Sequence, residues 1–188
     1  VEELRQLMID LKSSLSNEVY QRIVYLVIQS GTALKEGVNT GVYNNERLKD
    51  MMKLSKEFNI LTKEHNGDWI TDNEIKDKFN NGLSALNIAP EFGMIETKVI
   101  LEEIDRLDKK SSEECFENFF EICHKSKKWV KWVKDDFNPF ENKRKLIEIC
   151  GHYVFTNEDL KSIKLKLVNI DEKIIKSIDD RLNHIYQL

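Results

Sequence analysis

Apolar residues recur at helical spacing along nearly the whole chain. The first stripe has the i, i+3, i+4, i+7 spacing of an amphipathic helix and consists of Leu4, Leu7, Met8 and Leu11. Similar patterns predict helices over residues 16–27 and 32–38, from 48 to near 65–67, from 71 onward, and over 95–107, 115–123, 129–133, 146–150, 157–167 and 174–186. Only 7 Gly and 2 Pro occur in 188 residues, too few for a turn-rich β-sandwich. Since no segment alternates convincingly like a strand, the sequence predicts an all-α fold.

Composition and charge narrow the class of protein. Hydrophobic residues make up 40% of the chain, which is enough for a core, and the net charge of −4 argues against a basic footprint over the whole chain. The sequence contains no run of 18 apolar residues, so it predicts no membrane-spanning helix. Three cysteines, an odd number, favour a reducing compartment over a disulfide framework. The chain begins at Val1 without Met or a signal-like segment, so we expect a piece of a larger cytoplasmic, nuclear or perinuclear protein.

Three pairs of segments resemble each other in a consistent order. They are 16–20 with 112–116, 71–76 with 156–161, and 95–100 with 170–175. These matches imply a repeating unit of roughly 75–95 residues, the length of a small domain. We therefore predict one complete unit over 45–136, preceded by a rear half over 1–44 and followed by a front half over 137–188.

The complete unit resembles the caspase-recruitment domain of the death-fold superfamily. The similarity rests on the helix start Ile70–Ile75, on Val99–Leu107 and on the Cys115–Cys123 pattern of Phe and Cys. The resemblance implies an antiparallel six-helix bundle, with helices 4–6 in residues 1–44. We further expect 1–44 and 137–188 to pack onto one another or onto the central unit, so that their apolar stripes are covered. Tandem copies occur at the N-termini of RIG-I-like RNA helicases, and Dicer-related helicases of RNA silencing are relatives. The resemblance therefore implies a non-enzymatic protein-interaction module in a larger RNA helicase of silencing or antiviral sensing.

No motif for catalysis or for a cofactor is present. The sequence lacks Gly-x-Ser-x-Gly, a Gly-rich phosphate loop followed by Lys-Ser/Thr, and His-Glu-x-x-His. The nearest approach to a metal site is Cys123-His124 with Cys150-Gly151-His152. Adjacent residues on a helix point about 100° apart, and zinc motifs usually use two separated pairs. We therefore expect structural cysteines, no metal, no cofactor and no catalytic residue.

A cluster of basic and aromatic residues is the most suggestive feature. Trp129 and Trp132 are interleaved with Lys125, Lys127, Lys128, Lys131 and Lys134. Such a segment is most often an amphipathic helix with its aromatics buried and its lysines in water. The segment could also bind an acidic protein partner. A further alternative is a nucleic-acid-binding accessory domain in which helix 125–134 binds RNA.

An acidic stretch precedes the lysines. It contains Glu102, Glu103, Asp105 and Asp108. Paired carboxylates catalyse only in a desolvated cleft, and the sequence suggests none. Faces of opposite sign let copies dock head to tail. We therefore predict a protein partner bound through charged helical faces, with self-association as an alternative and no membrane contact.

Overall fold

The computed structural model describes residues 1–188 and is mostly helical. The helices are α1 (Glu2–Ser14), α2 (Asn17–Tyr20), α3 (Asn45–Phe58), α4 (Asp72–Asn80), α5 (Pro90–Asp105), α6 (Lys109–Ser126), α7 (Lys143–Cys150), α8 (Glu158–Lys164) and α9 (Ile170–Tyr186). The strands are β1 (Tyr25–Ile28), β2 (Leu34–Lys35), β3 (Val38–Asn39), β4 (Leu61–Glu64) and β5 (Ala85–Leu86). Two 3-10 turns lie at Val130–Trp132 and Gly151–Val154. The chain is therefore mostly helical, as predicted, but it is not all-α, because five short strands occur within residues 25–86.

A small parallel sheet is the element that the sequence analysis missed. Its strand order is β1-β4-β5, and both neighbouring pairs are parallel. In register, Val27 lies beside Lys63, and Lys63 lies beside Ala85. Parallel neighbours require a crossover connection; α3 lies between β1 and β4 in the chain, and α4 lies between β4 and β5.

The helix predicted over residues 16–27 is the clearest error. Ser16 caps α2 as a helix start should, but α2 ends at Tyr20, and Tyr25–Ile28 is a strand. A short run of apolar, β-branched and aromatic residues fits a buried strand as well as a helix turn, and pairing with β4 decides the outcome. The helical turn predicted over 32–38 is also wrong, because β2 and β3 pair there as a second, two-stranded sheet.

The chain divides into two compact units. The first comprises residues 1–34 and 39–88, and the second comprises 35–38 and 89–188. The boundaries inferred from the repeats, 44/45 and 136/137, fall inside these units. The segment 45–136 contains β4 and β5, so it is not the six-helix bundle that the resemblance implied.

Each unit has its own apolar core. In the first unit, α3 contacts β4, and Leu26 and Ile28 pack with Leu48, Met51 and Met52. In the second unit, α5 packs against α9 and α6 against α7, as the apolar stripes of these helices require. That core consists of Val99, Ile100, Leu101, Ile104, Cys115, Phe119, Phe120, Cys123, Trp129, Leu146, Ile147, Cys150, Val154, Leu160, Ile163, Leu167, Ile170 and Ile174.

Several local predictions are confirmed. Thr71 and Glu74 form the capping box at the start of α4. The stripes over 48–58, 95–107 and 115–123 fall within α3, α5 and α6 and their immediate ends. None of the helices combines the length and the apolar character that crossing a membrane would require.

Candidate functional site

The two faces of the parallel sheet differ sharply in burial. Side chains alternate between the faces of a strand, and the burial of β1 and β4 follows this alternation. The buried face carries Leu26, Ile28, Ser30, Thr62 and Glu64. The other face, which we call the open face, carries Tyr25, Val27, Gln29, Leu61, Lys63 and His65, with Gln29 and His65 directly following their strands. Tyr25, Val27 and Leu61 are 42%, 53% and 50% exposed.

The buried face holds an enclosed ion pair. The Lys78 Nζ lies 2.7 Å from a Glu64 carboxylate oxygen, and both side chains are almost completely inaccessible. The Ser30 hydroxyl lies 2.8 and 2.9 Å from the two Glu64 oxygens, and the Ser30 N–H also donates to this carboxylate. A buried charge is tolerated only when it is paired and hydrogen-bonded. Glu64 meets that condition and joins the carboxyl ends of β1 and β4.

A second polar group lies next to this pair. Lys78 Nζ is 4.4 Å from the centre of the Tyr43 ring, and the Tyr43 hydroxyl donates to Asp77 at 2.5 Å. Burial, reinforced by the Asp77 hydrogen bond, raises the pKa of Tyr43. The Tyr43 and Asn45 hydrogen bonds lower the pKa of Asp77. These contacts fix the start of α3 against α4.

The loops that follow β1 and β4 are held in place by hydrogen bonds. Thr32 Oγ1 donates to the His65 carbonyl at 2.7 Å, and the Gly67 N–H donates to the Asn87 carbonyl at 2.9 Å. A Cβ at Gly67 would lie 2.4 Å from the Leu86 side chain, which would have to move to accommodate it. Gly31 has φ +116°, and a Cβ there would lie 1.9 Å from the Val42 carbonyl oxygen. The position of His65 is therefore set by the backbone around it.

The open face carries two basic side chains without a carboxylate partner. The Lys63 Nζ lies 5.7 Å from the centre of the Tyr25 ring, and Lys63 forms no ion pair. His65 is exposed, and its imidazole forms no hydrogen bond. Since residues i and i+2 share a face, both side chains project from the open face of β4 at its carboxyl end. Together they can bind hydroxyl, carbonyl or phosphate oxygens, and the imidazole can exchange a proton with a bound substrate.

A cleft of about 460 Å³ adjoins this face. Val27 and Gln29 from β1 and its end, and His65 and Asn66 after β4, line one side of it. Residues of α1 and α3 line the other side, including Arg47. The cleft therefore brings the carboxyl ends of two parallel strands next to a guanidinium.

The lysines and tryptophans singled out from the sequence lie in the second unit. Helix α6 ends at Ser126, and residues 130–132 form a 3-10 turn, so no continuous helix spans 125–134. Trp129 is 8% exposed, and Trp132 Nε1 donates to the Tyr153 hydroxyl at 3.1 Å. Lys125 pairs with Glu121 at 2.7 Å. The remaining lysines of the set are Lys127, Lys128, Lys131 and Lys134, and their role toward a protein partner stays a prediction.

The acidic residues singled out from the sequence form contacts inside the second unit. Glu103 is 7% exposed and pairs with Lys173 at 2.5 Å. Asp105 pairs with Arg144 at 2.9 Å, and Asp108 caps α6 by accepting the Ser111 N–H. Glu102 is exposed. Their role in binding a partner also stays a prediction.

A larger cleft of about 600 Å³ in the second unit includes Lys125 and Lys166. Its lysines are matched there by Glu121 and Asp159. This balance of charge removes the main reason for a charged ligand to bind, so we place the candidate site in the first unit despite the smaller cleft.

The cysteines and histidines of the metal hypothesis contribute to packing. Cys123 and Cys150 are fully buried, and the Cys150 thiol lies 3.9 Å from the Cys123 carbonyl. The Cys150 hydrogen bond and burial raise the pKa of the Cys123 thiol. The His124 ring stacks on Phe120 and on Trp129. Burial lowers the pKa of His152, with a smaller contribution from Lys131.

Comparison with known proteins bears on the fold. No protein-family model and no curated protein sequence matches the chain. A similar fold occurs in the crystal structure of a probable tagatose 6-phosphate kinase from Sinorhizobium meliloti 1021, with a TM-score of 0.60 and 15% sequence identity. The match covers 86% of this chain and 42% of that one, so the chain spans about two fifths of the kinase. The fold is not a death fold.

This similarity corrects the interpretation that rested on the death-fold resemblance. The assignment to caspase-recruitment domains is wrong, because the chain matches a protein described as a sugar-phosphate kinase and contains a parallel sheet. The non-enzymatic interaction module, the link to RNA helicases of silencing or antiviral sensing, and the exclusion of an enzyme are wrong with it. The nucleic-acid alternative gains no support either. The physical reason for the error is that amphipathic helices share apolar spacing in unrelated folds.

Lys63, His65 and Arg47 were not among the residues predicted to form a site. Lys63 and His65 fall in the stretch predicted to end the helix that begins near Leu48, and that prediction is wrong there because Leu61–Glu64 is β4. The signal that identifies them is the strand–helix–strand order, in which β4 follows the left-handed Asn59 at the end of α3. Once β4 is recognised, the alternation of Lys63, Glu64 and His65 separates exposed from buried charge.

Proposed function

We propose that the chain belongs to an enzyme that acts on a sugar or sugar phosphate, and that this substrate binds on the open face. The observation that carries the proposal is the pair of basic side chains, Lys63 and His65, that project without carboxylate partners at the carboxyl end of β4. Ligands of parallel α/β proteins bind outside the carboxyl ends of the strands. The described activity of the structurally similar kinase supports a sugar as the substrate class.

The exposure of the sheet supports the same proposal. Parallel sheets occur almost only with both faces covered, whereas Tyr25, Val27 and Leu61 are about half exposed here. A sugar stacks its apolar ring face on such side chains and presents its hydroxyl groups to Lys63, His65 and Gln29. In this arrangement the Lys63 ammonium stabilises negative charge on a substrate oxygen, and His65 accepts or returns the proton.

Titration with tagatose 6-phosphate tests the proposal. Binding to the full chain is followed by the amide NMR signals, and we expect the largest shifts in residues 61–65. Lys63→Met and His65→Ala should each weaken binding by about tenfold or more, because each removes a hydrogen bond to the ligand, with charge in the case of Lys63. The matched control is Lys53→Met, which removes an exposed lysine of α3 that pairs with Asp50.

The acid–base role has its own measurement. We expect the chain to speed exchange between solvent deuterium and the proton on the carbon next to the sugar carbonyl, and His65→Gln to lower this rate by about 10²-fold or more. Affinity that is unchanged in both Lys63→Met and His65→Ala would contradict the proposed site. Exchange no faster than in buffer would contradict the acid–base role.

A further inference from the structure

We propose that the cleft beside the open face is a phosphate subsite in which Arg47 binds the phosphate group of the substrate. This inference rests on the proposed function for the sugar part of the ligand. It adds the chemical class, a phosphate monoester rather than a neutral sugar, and the residue that distinguishes the two.

Arg47 differs from the other arginines of the chain. Six arginines occur, and five of them form an ion pair with a carboxylate: Arg5, Arg22, Arg106, Arg144 and Arg181. Arg47 forms no ion pair and no side-chain hydrogen bond, and it lines the cleft. An unpaired guanidinium in a concave site is available to an anion from solution.

The backbone fixes where the Arg47 side chain starts. Asn44 is the N-cap of α3, and its side chain accepts the Arg47 N–H at 2.9 Å. Arg47 therefore lies in the first turn of a 14-residue helix. The partial positive charge of a helix start adds to the charge of the guanidinium there.

The surroundings of Arg47 suit a phosphate attached to a sugar. The planar guanidinium donates two parallel hydrogen bonds to a phosphate, which an ammonium group does not do. Asn66, whose side chain forms no hydrogen bond, and Gln29 lie on the same cleft. His65 belongs to both the cleft and the open face. A phosphate in the cleft therefore leaves the sugar within reach of His65.

One acidic side chain gives the inference a second test. Glu3 also lines the cleft, and it forms no ion pair with Arg47. Its carboxylate repels a bound phosphate. Removing the charge of Glu3 should therefore have the opposite effect to removing the charge of Arg47.

The experiment compares tagatose with tagatose 6-phosphate in four variants of the full chain. In the wild type we expect the phosphate ester to bind at least about tenfold more tightly, as one charge-assisted pair provides. Arg47→Met should abolish this difference, and Arg47→Lys should keep part of it. Glu3→Gln should strengthen binding of the ester two- to threefold, a rough estimate for one screened charge. Lys53→Met should change neither ligand.

The outcomes separate this inference from the proposed function. Equal affinity for tagatose and tagatose 6-phosphate overturns the phosphate subsite, as does a preference for the phosphate ester that persists in Arg47→Met. Neither result contradicts the proposed sugar site. If neither sugar binds, the proposed function fails and titration with inorganic phosphate decides the inference. Shifts of the Arg47 and Asn66 amide signals that vanish in Arg47→Met support the subsite, and their absence in the wild type overturns it. A melting temperature of Arg47→Met equal to that of the wild type shows that the fold is intact.

Discussion

The charged side chains on the buried face and on the open face of β4 lie in opposite environments. On the buried face, Glu64 is enclosed and paired with Lys78 at 2.7 Å. On the open face, the adjacent Lys63 faces solvent and the ring of Tyr25. The pleat of the strand separates the two environments, since successive side chains point to opposite faces. One residue along the chain is enough to change a structural charge into one that is available to a ligand.

The difference has an energetic origin. Removing a charge from water costs several kcal/mol, so the charges of Glu64 and Lys78 must compensate each other. Lys63 is only partly buried, so its charge needs no carboxylate partner. It therefore contributes little to folding and remains free to interact with a substrate.

The largest expected effect separates the two lysines. Lys78→Met leaves the Glu64 carboxylate buried without its cation and should destabilise the first unit by about 3–5 kcal/mol. Lys63→Met should change the stability by less than about 0.5 kcal/mol, as usual for a solvent-facing position. Urea unfolding followed by circular dichroism measures both changes. Equal losses in the two variants would contradict the contrast between the faces.

An intermediate effect is expected for Ser30. Ser30→Ala removes the hydroxyl that lies 2.8 and 2.9 Å from the two Glu64 oxygens, and it should cost about 1–3 kcal/mol. Ser13→Ala, which removes an exposed hydroxyl that donates to the Asp10 carbonyl, is the control and should be nearly neutral. Urea midpoints of the two variants check this prediction, and a neutral Ser30→Ala would show that the carboxylate does not need the Ser30 hydroxyl.

The smallest expected effect is on the stability of the protein at acidic pH, through Asp77. Hydrogen bonds from Tyr43 and Asn45 lower the pKa of Asp77 from its ordinary 3.8. The Asp77 carboxylate therefore binds a proton more readily in the unfolded chain than in the folded one. Its contribution to the free energy of unfolding is complete above pH 3.8 and is lost as the pH falls through the lower pKa of the folded state. Asp77→Asn should flatten the stability curve below about pH 4, because it removes the carboxyl group whose protonation is coupled to unfolding. Thermal melting across this range is the measurement, and identical curves for Asp77→Asn and the wild type would contradict it.

The second unit could be predicted from local patterns more fully than the first. Helices α5, α6, α7 and α9 follow apolar stripes that also form their buried contacts, so periodicity and packing agree. In the first unit, Tyr25–Ile28 and Leu61–Glu64 are each four residues long. Such runs are too short for periodicity to distinguish a strand from a helix turn. The strand assignment depends on pairing between residues that lie far apart in the chain, which no local pattern contains.

The candidate site, like the strands, depends on residues that are far apart in the chain. The lysine–tryptophan segment stood out because its charges are consecutive in sequence, and both of its indole rings are used in packing or hydrogen bonding within the second unit. Arg47 and His65 lie on different elements and meet only at the cleft. A site assembled from separate strands and helices leaves no contiguous motif.

By itself, the sequence determined most of the helices, the cap of α4 and the burial of the three cysteines, because each depends on neighbours within one or two turns. The tertiary structure decided the parallel sheet, the separation of Glu64 from Lys63, and the cleft that contains Arg47. These features arise from hydrogen bonds and contacts between distant segments, such as Leu26 beside Thr62. Their energies exist only when the chain is folded, and for that reason local propensity does not encode them.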